Sequence, residues 1–347
     1  MVTLWGEVYQ YLEQGEAVVV ATVVDHSGST PRTSGSKMLI HSDGRISGTI
    51  GGGALEGDVV RFALNLFSTR GGALRFYDLN ETTSTDDLDL ICGGRMHVLM
   101  EYVPVDDRNL EIYRALKDAV RSSGSVLCVV RLEGDDTDLT VERTVLTAEG
   151  GAGGPAPLPP ETIEMLRRHA ADHPSASLLA IEDQRYVIEP VLPRQIVYVV
   201  GAGHVSMEIA WLTNRVGFDT VVIDDRPEFA AKERFPTAAA VLVCPDYRQV
   251  FTDFDIGADS YIVIVTRGHR FDKEALAQAL ESKAGYIGMI GSARKRDTIY
   301  QALVSEGVDP GELTRVHCPV GLAIDAETPA EIAVSIIAEL IGHRARR

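Results

Sequence analysis

The chain has 347 residues, 45% of them apolar and 24% charged, and carries a formal net charge of −17. That length suits about two domains, each large enough for its own core. The acidic balance argues against a bare nucleic-acid or anionic-membrane surface, although backbone N–H groups still allow local binding of an anion.

In chain order, residues 3–14 have helical periodicity, and the β-branched run 17–24 reads as a buried strand. Residues 37–41 and 45–50 flank Ser42-Asp43-Gly44, a hairpin signal. A helix is predicted over 55–67, strands over 74–77 and 96–102 with a loop at 86–94 before the second, a helix over 110–121 and a strand over 126–131. The Gly/Pro-rich stretch 148–160 marks a loop, and 186–191 reads as one more strand of the same mixed domain. Pro190 and Pro193 bracket the expected boundary, giving domains at 1–192 and 193–347. Beyond it, strands at 196–200, 220–224, 240–243, 261–266 and 286–290 alternate with helical patterns. This predicts an α/β chain: an N-terminal mixed α+β domain, then a Rossmann-like, doubly wound parallel sheet. Thr328-Pro329-Ala330-Glu331 is a capping box opening a last, structural helix with Ile332, Ile336, Ile337 and Leu340 as its buried stripe.

Four cysteines, Cys92, Cys128, Cys244 and Cys318, are widely spaced with no C-x-x-C pair. That spacing fits neither a disulfide scaffold nor an iron–sulfur or zinc ribbon. The first residues, with Glu7 and Glu13, do not read as a signal peptide, and the apolar run 17–24 is too short to span a bilayer. A cytoplasmic, membrane-free protein is expected.

Several segments carry chemistry. The strand 196–200 runs into Gly201-Ala202-Gly203-His204, a turn whose glycines suit a nucleotide pyrophosphate at a helix N-terminus. Ser206 stands where the third fingerprint glycine falls, and Asp224-Asp225 stands where a ribose-binding carboxylate is expected. In the first half, Gly51-Gly52-Gly53 lies between a strand and a helix, where backbone N–H groups can converge on a phosphate or other oxyanion. Ser29-Thr30-Pro31-Arg32 upstream adds hydroxyls and a guanidinium; a mobile turn beside a solvated arginine is the plain alternative. Cys92-Gly93-Gly94-Arg95 places a thiol where backbone can approach a ligand and Arg95 favours thiolate, or else holds a small buried hydrophobe. Downstream, His269 and Asp272 form a polar pair or cap a helix. Ser292 is a candidate N-cap at another strand-to-helix anion site, with Arg294 and Lys295 read as a solvated helix face. No catalytic set of residues can be assembled.

The combination resembles the XdhC/CoxI family, accessory factors of xanthine dehydrogenase and related molybdenum hydroxylases. The resemblance rests on Ser29-Thr30-Pro31-Arg32, the run 48–57, Cys92-Gly93-Gly94, Gly201-Ala202-Gly203-His204-Val205, Thr266-Arg267-Gly268-His269 with Asp272, 286–292, and 319–322 with 328–333. It implies a two-domain, often dimeric carrier that binds the molybdenum cofactor (molybdopterin or its nucleotide form) and protects the sulfurated state. The implied recipient is the large subunit of an apo molybdenum hydroxylase, with a cysteine desulfurase and cofactor-biosynthesis proteins as further partners. The residues expected to bind cofactor are Arg32, Gly51, Gly52, Gly53, Cys92, Gly93, Gly94, Gly201, Gly203, His204, Asp224, His269 and Ser292, with Cys92 contacting the metal. Two positions depart from the family pattern: Ala54 stands where many relatives carry cysteine, and Asp325 where they carry glycine. The rival readings are an NAD(P)-dependent oxidoreductase, with Asp224 or Asp225 on the ribose, and a nucleotide-sensing module.

Overall fold

The computed structural model describes residues 3–79, 93–120, 125–147, 150–152 and 158–346. They form two compact units, one reaching Pro193 and the other starting at Arg194.

The first unit contains α1 (Leu4–Glu13), β1 (Val18–Gly28), β2 (Lys37–Ile40), β3 (Ile46–Gly48), α2 (Gly53–Thr69), β4 (Gly72–Asp78) and β5 (Gly94–Val103). It continues through α3 (Asp107–Ala119), β6 (Val126–Asp135), β7 (Asp138–Thr147), β8 (Gly150–Ala152), α4 (Pro160–Asp172), β9 (Ser177–Ile181) and β10 (Gln184–Val191). Its ten-stranded sheet runs β3-β2-β1-β5-β4-β7-β6-β10-β9, with β8 paired to β7, and every pairing is antiparallel.

The run at 17–24 is continuously apolar because β1 is covered on both faces. Val18, Val20 and Val24 join the core under α1 and α3, whereas Val19, Ala21 and Val23 join the core under α2. Strands β7 and β9 and helix α4 have no counterpart in the sequence reading. Pro160 sits in the first turn of α4, where a missing N–H costs nothing, so the proline-rich stretch leads directly into a helix.

The first core also holds a buried ion pair. Glu101 of β5 is 4% exposed and Arg143 of β7 is 6% exposed. Arg143 Nη2 lies 2.5 Å from Glu101 Oε2, and its Nη1 lies 2.7 Å from Cys128 Sγ. Burial pushes the Cys128 thiol up to about 11, so this cysteine is an unreactive core group.

The second unit contains β11 (Ile196–Val200), α5 (His204–Arg215), β12 (Asp219–Asp224), β13 (Ala240–Val243), β14 (Ser260–Ile264), α6 (His269–Glu281), β15 (Tyr286–Met289), α7 (Ala293–Ser305), β16 (Val316–His317) and α8 (Pro329–Ala345). The six strands run β13-β12-β11-β14-β15-β16, all parallel. This is the expected doubly wound order, whose reversal between β11 and β14 directs the crevice to the carboxyl ends of those strands. Helices α6 and α7 cover one face and α5 and α8 the other. The two-residue edge strand β16 is too short to leave a periodic signal. Thr328 and Glu331 form the expected reciprocal cap of α8, and Ile336, Ile337 and Leu340 are buried. Among the described residues, no helix is long and apolar enough to cross a membrane.

The buried pair yields a stability prediction. Arg143→Met strands the Glu101 carboxylate and should cost about 3–5 kcal/mol, while adding Glu101→Leu should restore most of it. Chemical denaturation checks this; a single-variant loss below about 1 kcal/mol would contradict the role given to the pair.

Candidate functional site

Three of the first-domain motifs meet where the interior strand β1 ends and β5 begins. Gly28 at the end of β1 is the register partner of Gly94 at the start of β5. A Cβ on Gly94 would lie 2.6 Å from Ser29 O and 2.7 Å from Ser27 O, and one on Gly51 would lie 2.9 Å from Pro31 Cβ. The segment 27–32 therefore runs against Gly94 and, through Pro31, against Gly51. The missing side chains of Gly51 and Gly94, both expected to bind cofactor, thus admit a neighbouring piece of chain on the side where a Cβ would stand. Gly52 and Gly53 face open space, and Gly93 is exposed. Arg32 is exposed, and among the described residues its guanidinium has no ion-pair partner. Arg95 is paired with Asp78 at 3.0 Å. Cys92 lies outside the described residues.

The converging N–H groups exist, but they already hold an anion. Glu56, on the first turns of α2, turns back so that its Oε1 accepts from Ile50 N–H at 3.0 Å, Gly51 N–H at 3.2 Å and Gly52 N–H at 2.9 Å. The Thr49 hydroxyl donates to the same oxygen at 2.5 Å. Burial pushes this carboxyl's pKa up, but the Thr49 hydroxyl and the three N–H groups outweigh it and hold it below the ordinary glutamate range. The oxyanion in the triple-glycine loop is thus the protein's own. What stays open is the start of α2: its N-cap Gly52 offers no side-chain acceptor, and Gly53 and Ala54 are exposed.

The second domain repeats this device. Gly201 has a φ of +110°, and a Cβ there would lie 2.5 Å from Val265 O, so only glycine lets the turn pass beneath β14. Between the two glycines, Ala202 N–H donates to Asp224 Oδ2 at 2.7 Å, and Ala202 O accepts from Arg234 Nη1 at 2.9 Å. Asp224 is 1% exposed and also receives the Arg226 N–H and guanidinium. Burial works against its charge, yet these bonds hold its pKa below the ordinary aspartate value. The expectation that Asp224 binds a ribose is corrected accordingly: the carboxylate is a clamp on the glycine turn. Gly203 and His204 begin α5 without a side-chain cap, and His204 is exposed. Ser206 is fully buried, and its hydroxyl has no partner among the described residues.

Of the two readings of His269 and Asp272, the polar pair does not form. His269 is exposed at the start of α6, whereas the fully buried Asp272 accepts from Thr266 Oγ1 at 2.8 Å and pairs with Lys295 Nζ at 2.5 Å. Burial raises the Asp272 pKa, and Lys295 and Thr266 offset only part of it. Lys295 is consequently not solvated; its stem crosses Gly291, 2.6 Å from where a Cβ would be, and its ammonium also donates to Ile290 O at 3.0 Å. Arg294 is exposed as expected, and Ser292 is the N-cap of α7, accepting from Lys295 N–H at 3.2 Å. Glu56, Arg226, Arg234 and the inward Lys295 escape the sequence reading. Only Glu56 leaves a signal, an acid four residues after the N-cap glycine.

Known proteins resemble the chain along most of its length. The XdhC and CoxI family model matches residues 11–78, and the XdhC Rossmann domain model matches residues 197–340. A Bacillus subtilis protein described as a probable xanthine dehydrogenase subunit is 30% identical over 342 residues, covering 96% of each chain. The chain belongs to the XdhC and CoxI family. The Escherichia coli protein named molybdenum cofactor insertion chaperone PaoD is 24% identical over 96% of this chain and 85% of its own. A crystal structure described as a xanthine dehydrogenase from Bacillus halodurans superposes with a TM-score of 0.81 at 29% identity, covering 98% of this chain and 96% of that one. Asp325, where the resemblance leads one to expect glycine, has a φ of +54°, the left-handed region that glycine adopts freely and aspartate tolerates better than most residues.

Glu56 gives the site's own prediction. Glu56→Ala should cost about 1–3 kcal/mol near neutral pH, the loss expected when several donors lose a charged acceptor. Because the folded pKa is lowered, this stabilisation is present above the unfolded value of 4.5 and is lost as pH falls through the folded pKa. Denaturant titrations should therefore show the gap between wild type and variant closing in acid; a gap independent of pH would contradict the assignment.

Proposed function

We propose that this protein holds a molybdenum cofactor, as molybdopterin or its nucleotide form, and passes it to the large subunit of an apo molybdenum hydroxylase. The observation that carries this reading is the meeting of segments 27–32, 50–56 and 93–94 at the shared end of β1 and β5. A relative named for insertion of that cofactor supports it.

The residues present suit the group. The Arg32 guanidinium, without an ion-pair partner among the described residues, and the uncapped first-turn N–H groups at Gly53 and Ala54 offer charge-assisted donors to a terminal phosphate. Cys92, next in sequence to the exposed Gly93, is the thiol assigned to the metal or its labile sulfur. In the second domain, Gly203, His204, His269 and Ser292 begin helices at the carboxyl edge of the parallel sheet. When bound, the cofactor supplies the redox-active metal and its sulfur; the protein's groups hold its anionic end and limit its contact with water and oxidants. The Glu56 and Asp224 locks keep the two glycine turns in one shape, so binding needs little reordering.

The test is to purify the protein from cells that make the cofactor and to measure molybdenum together with pterin fluorescence after oxidation. The expected result is co-purifying pterin that transfers to an apo-hydroxylase. Arg32→Ala should weaken retention by about tenfold, and Cys92→Ser should deplete the sulfurated form specifically. Absence of pterin both on purification and after loading in vitro would overturn the proposal.

A further inference from the structure

In a sheet of this order, a dinucleotide places its adenosine ribose at the end of the second strand, where an acidic side chain accepts from the hydroxyls. Here that strand is β12, and its last residue is Asp224. A carboxylate offers about four lone-pair sites. In Asp224 four donors already take them. Oδ1 accepts from Arg226 N–H at 3.0 Å and Arg226 Nε at 2.9 Å, while Oδ2 accepts from Ala202 N–H at 2.7 Å and Arg226 Nη2 at 3.1 Å. The neighbouring Asp225 is also engaged, with Arg267 Nη2 at 2.7 Å and the Tyr247 hydroxyl at 3.3 Å. A ribose diol brought to the end of β12 meets a saturated Asp224 carboxylate and guanidinium N–H donors, with Asp225 already held by Arg267 and Tyr247.

The same contacts turn the corner toward anions. The Arg226 guanidinium lies 3.6 Å from the centre of the Phe229 ring, and Arg234 approaches that ring at 4.8 Å. Arg226 remains about a quarter exposed, and its Nη1 has no hydrogen-bond partner among the described residues. Three guanidiniums, of Arg226, Arg234 and Arg267, thus stand against the two carboxylates of Asp224 and Asp225. A planar guanidinium held by a carboxylate on one edge and a ring beneath presents its other edge rigidly, which suits a phosphate oxygen.

We infer that Arg226 is the specificity-determining residue of the Rossmann domain, making the corner after β12 reject a free ribose diol and accept a phosphorylated one. The ligand class is an adenosine-type nucleotide with a phosphate on the ribose hydroxyl. This inference rests on the corner after β12, whereas the cofactor-carrier reading is carried by the first-domain segments, so nucleotide binding and pterin retention can fail separately.

NADPH and NADH differ only in that phosphate, and both fluoresce, so they are the probes. At low salt, the full-length protein should bind NADPH at least about tenfold more tightly than NADH. Arg226→Ala should cut NADPH affinity by about tenfold or more and leave NADH unchanged or improved, because Asp224 regains free acceptor sites. Arg226→Lys, which keeps the charge but not the fork, should fall between the two. Circular dichroism confirms that each variant is folded; should neither fold, the wild-type ratio alone decides. Equal affinities, tighter NADH, no NADPH binding at about 1 mM, or an unchanged ratio in folded Arg226→Ala would overturn the inference.

Discussion

Backbone N–H groups turned inward by glycine must find an acceptor, and in this protein two carboxylates of its own provide it. Glu56 gathers three consecutive N–H groups of the first-domain loop, and Asp224 takes the central N–H of the second-domain turn. Both bonds are stronger than neutral ones because the acceptor is ionised, and both hold their acids ionised through neutral pH. The shape of each candidate site follows from this constraint. An unpaired inward N–H would cost more than the whole net worth of a hydrogen bond.

The internal carboxylates also redistribute what is left for a ligand. In the first domain the loop's interior is filled, and what stays open is its outer side: the uncapped start of α2, the exposed Gly93 and the exposed Arg32. In the second domain the clamp on Ala202 brings in two arginines, Arg226 on the Asp224 carboxylate and Arg234 on the Ala202 carbonyl, so the acids after β12 are matched by guanidiniums. The same economy governs Asp272, which draws Lys295 inward across Gly291. In each case one carboxylate dictates where a basic side chain or a row of amides must lie.

Much of the architecture is legible in the sequence because it rests on local chemistry. The unbroken β-branched run of β1, the Gly-x-Gly turn after β11 and the Thr328–Glu331 cap each encode their own structure within a few residues. Strand β7 is not, because it alternates apolar residues with charges whose partners lie elsewhere. Arg143, for instance, is buried only because Glu101 awaits it on β5. The site is less legible than the fold for a related reason. The Gly51-Gly52-Gly53 and Gly201-Ala202-Gly203 turns announce converging N–H groups, but not which anion they meet. A nearby acid in the sequence reads equally as a helix charge or a ribose acceptor until its hydrogen bonds are known. Lys295 misleads in the opposite direction, since a first-turn lysine is ordinarily solvated and only the fold places Asp272 beneath it.

The central claim, that the glycine turns are held by internal carboxylates, is most directly tested by amide hydrogen exchange at Ile50, Gly51, Gly52 and Ala202. The account predicts protection of all four in the unliganded wild type. Glu56→Ala, which removes the acceptor, should lose protection at the first three only, and Asp224→Ala at Ala202 only. Fast exchange of these amides in the unliganded wild type would contradict it, because the turns would then be open cradles waiting for an external anion.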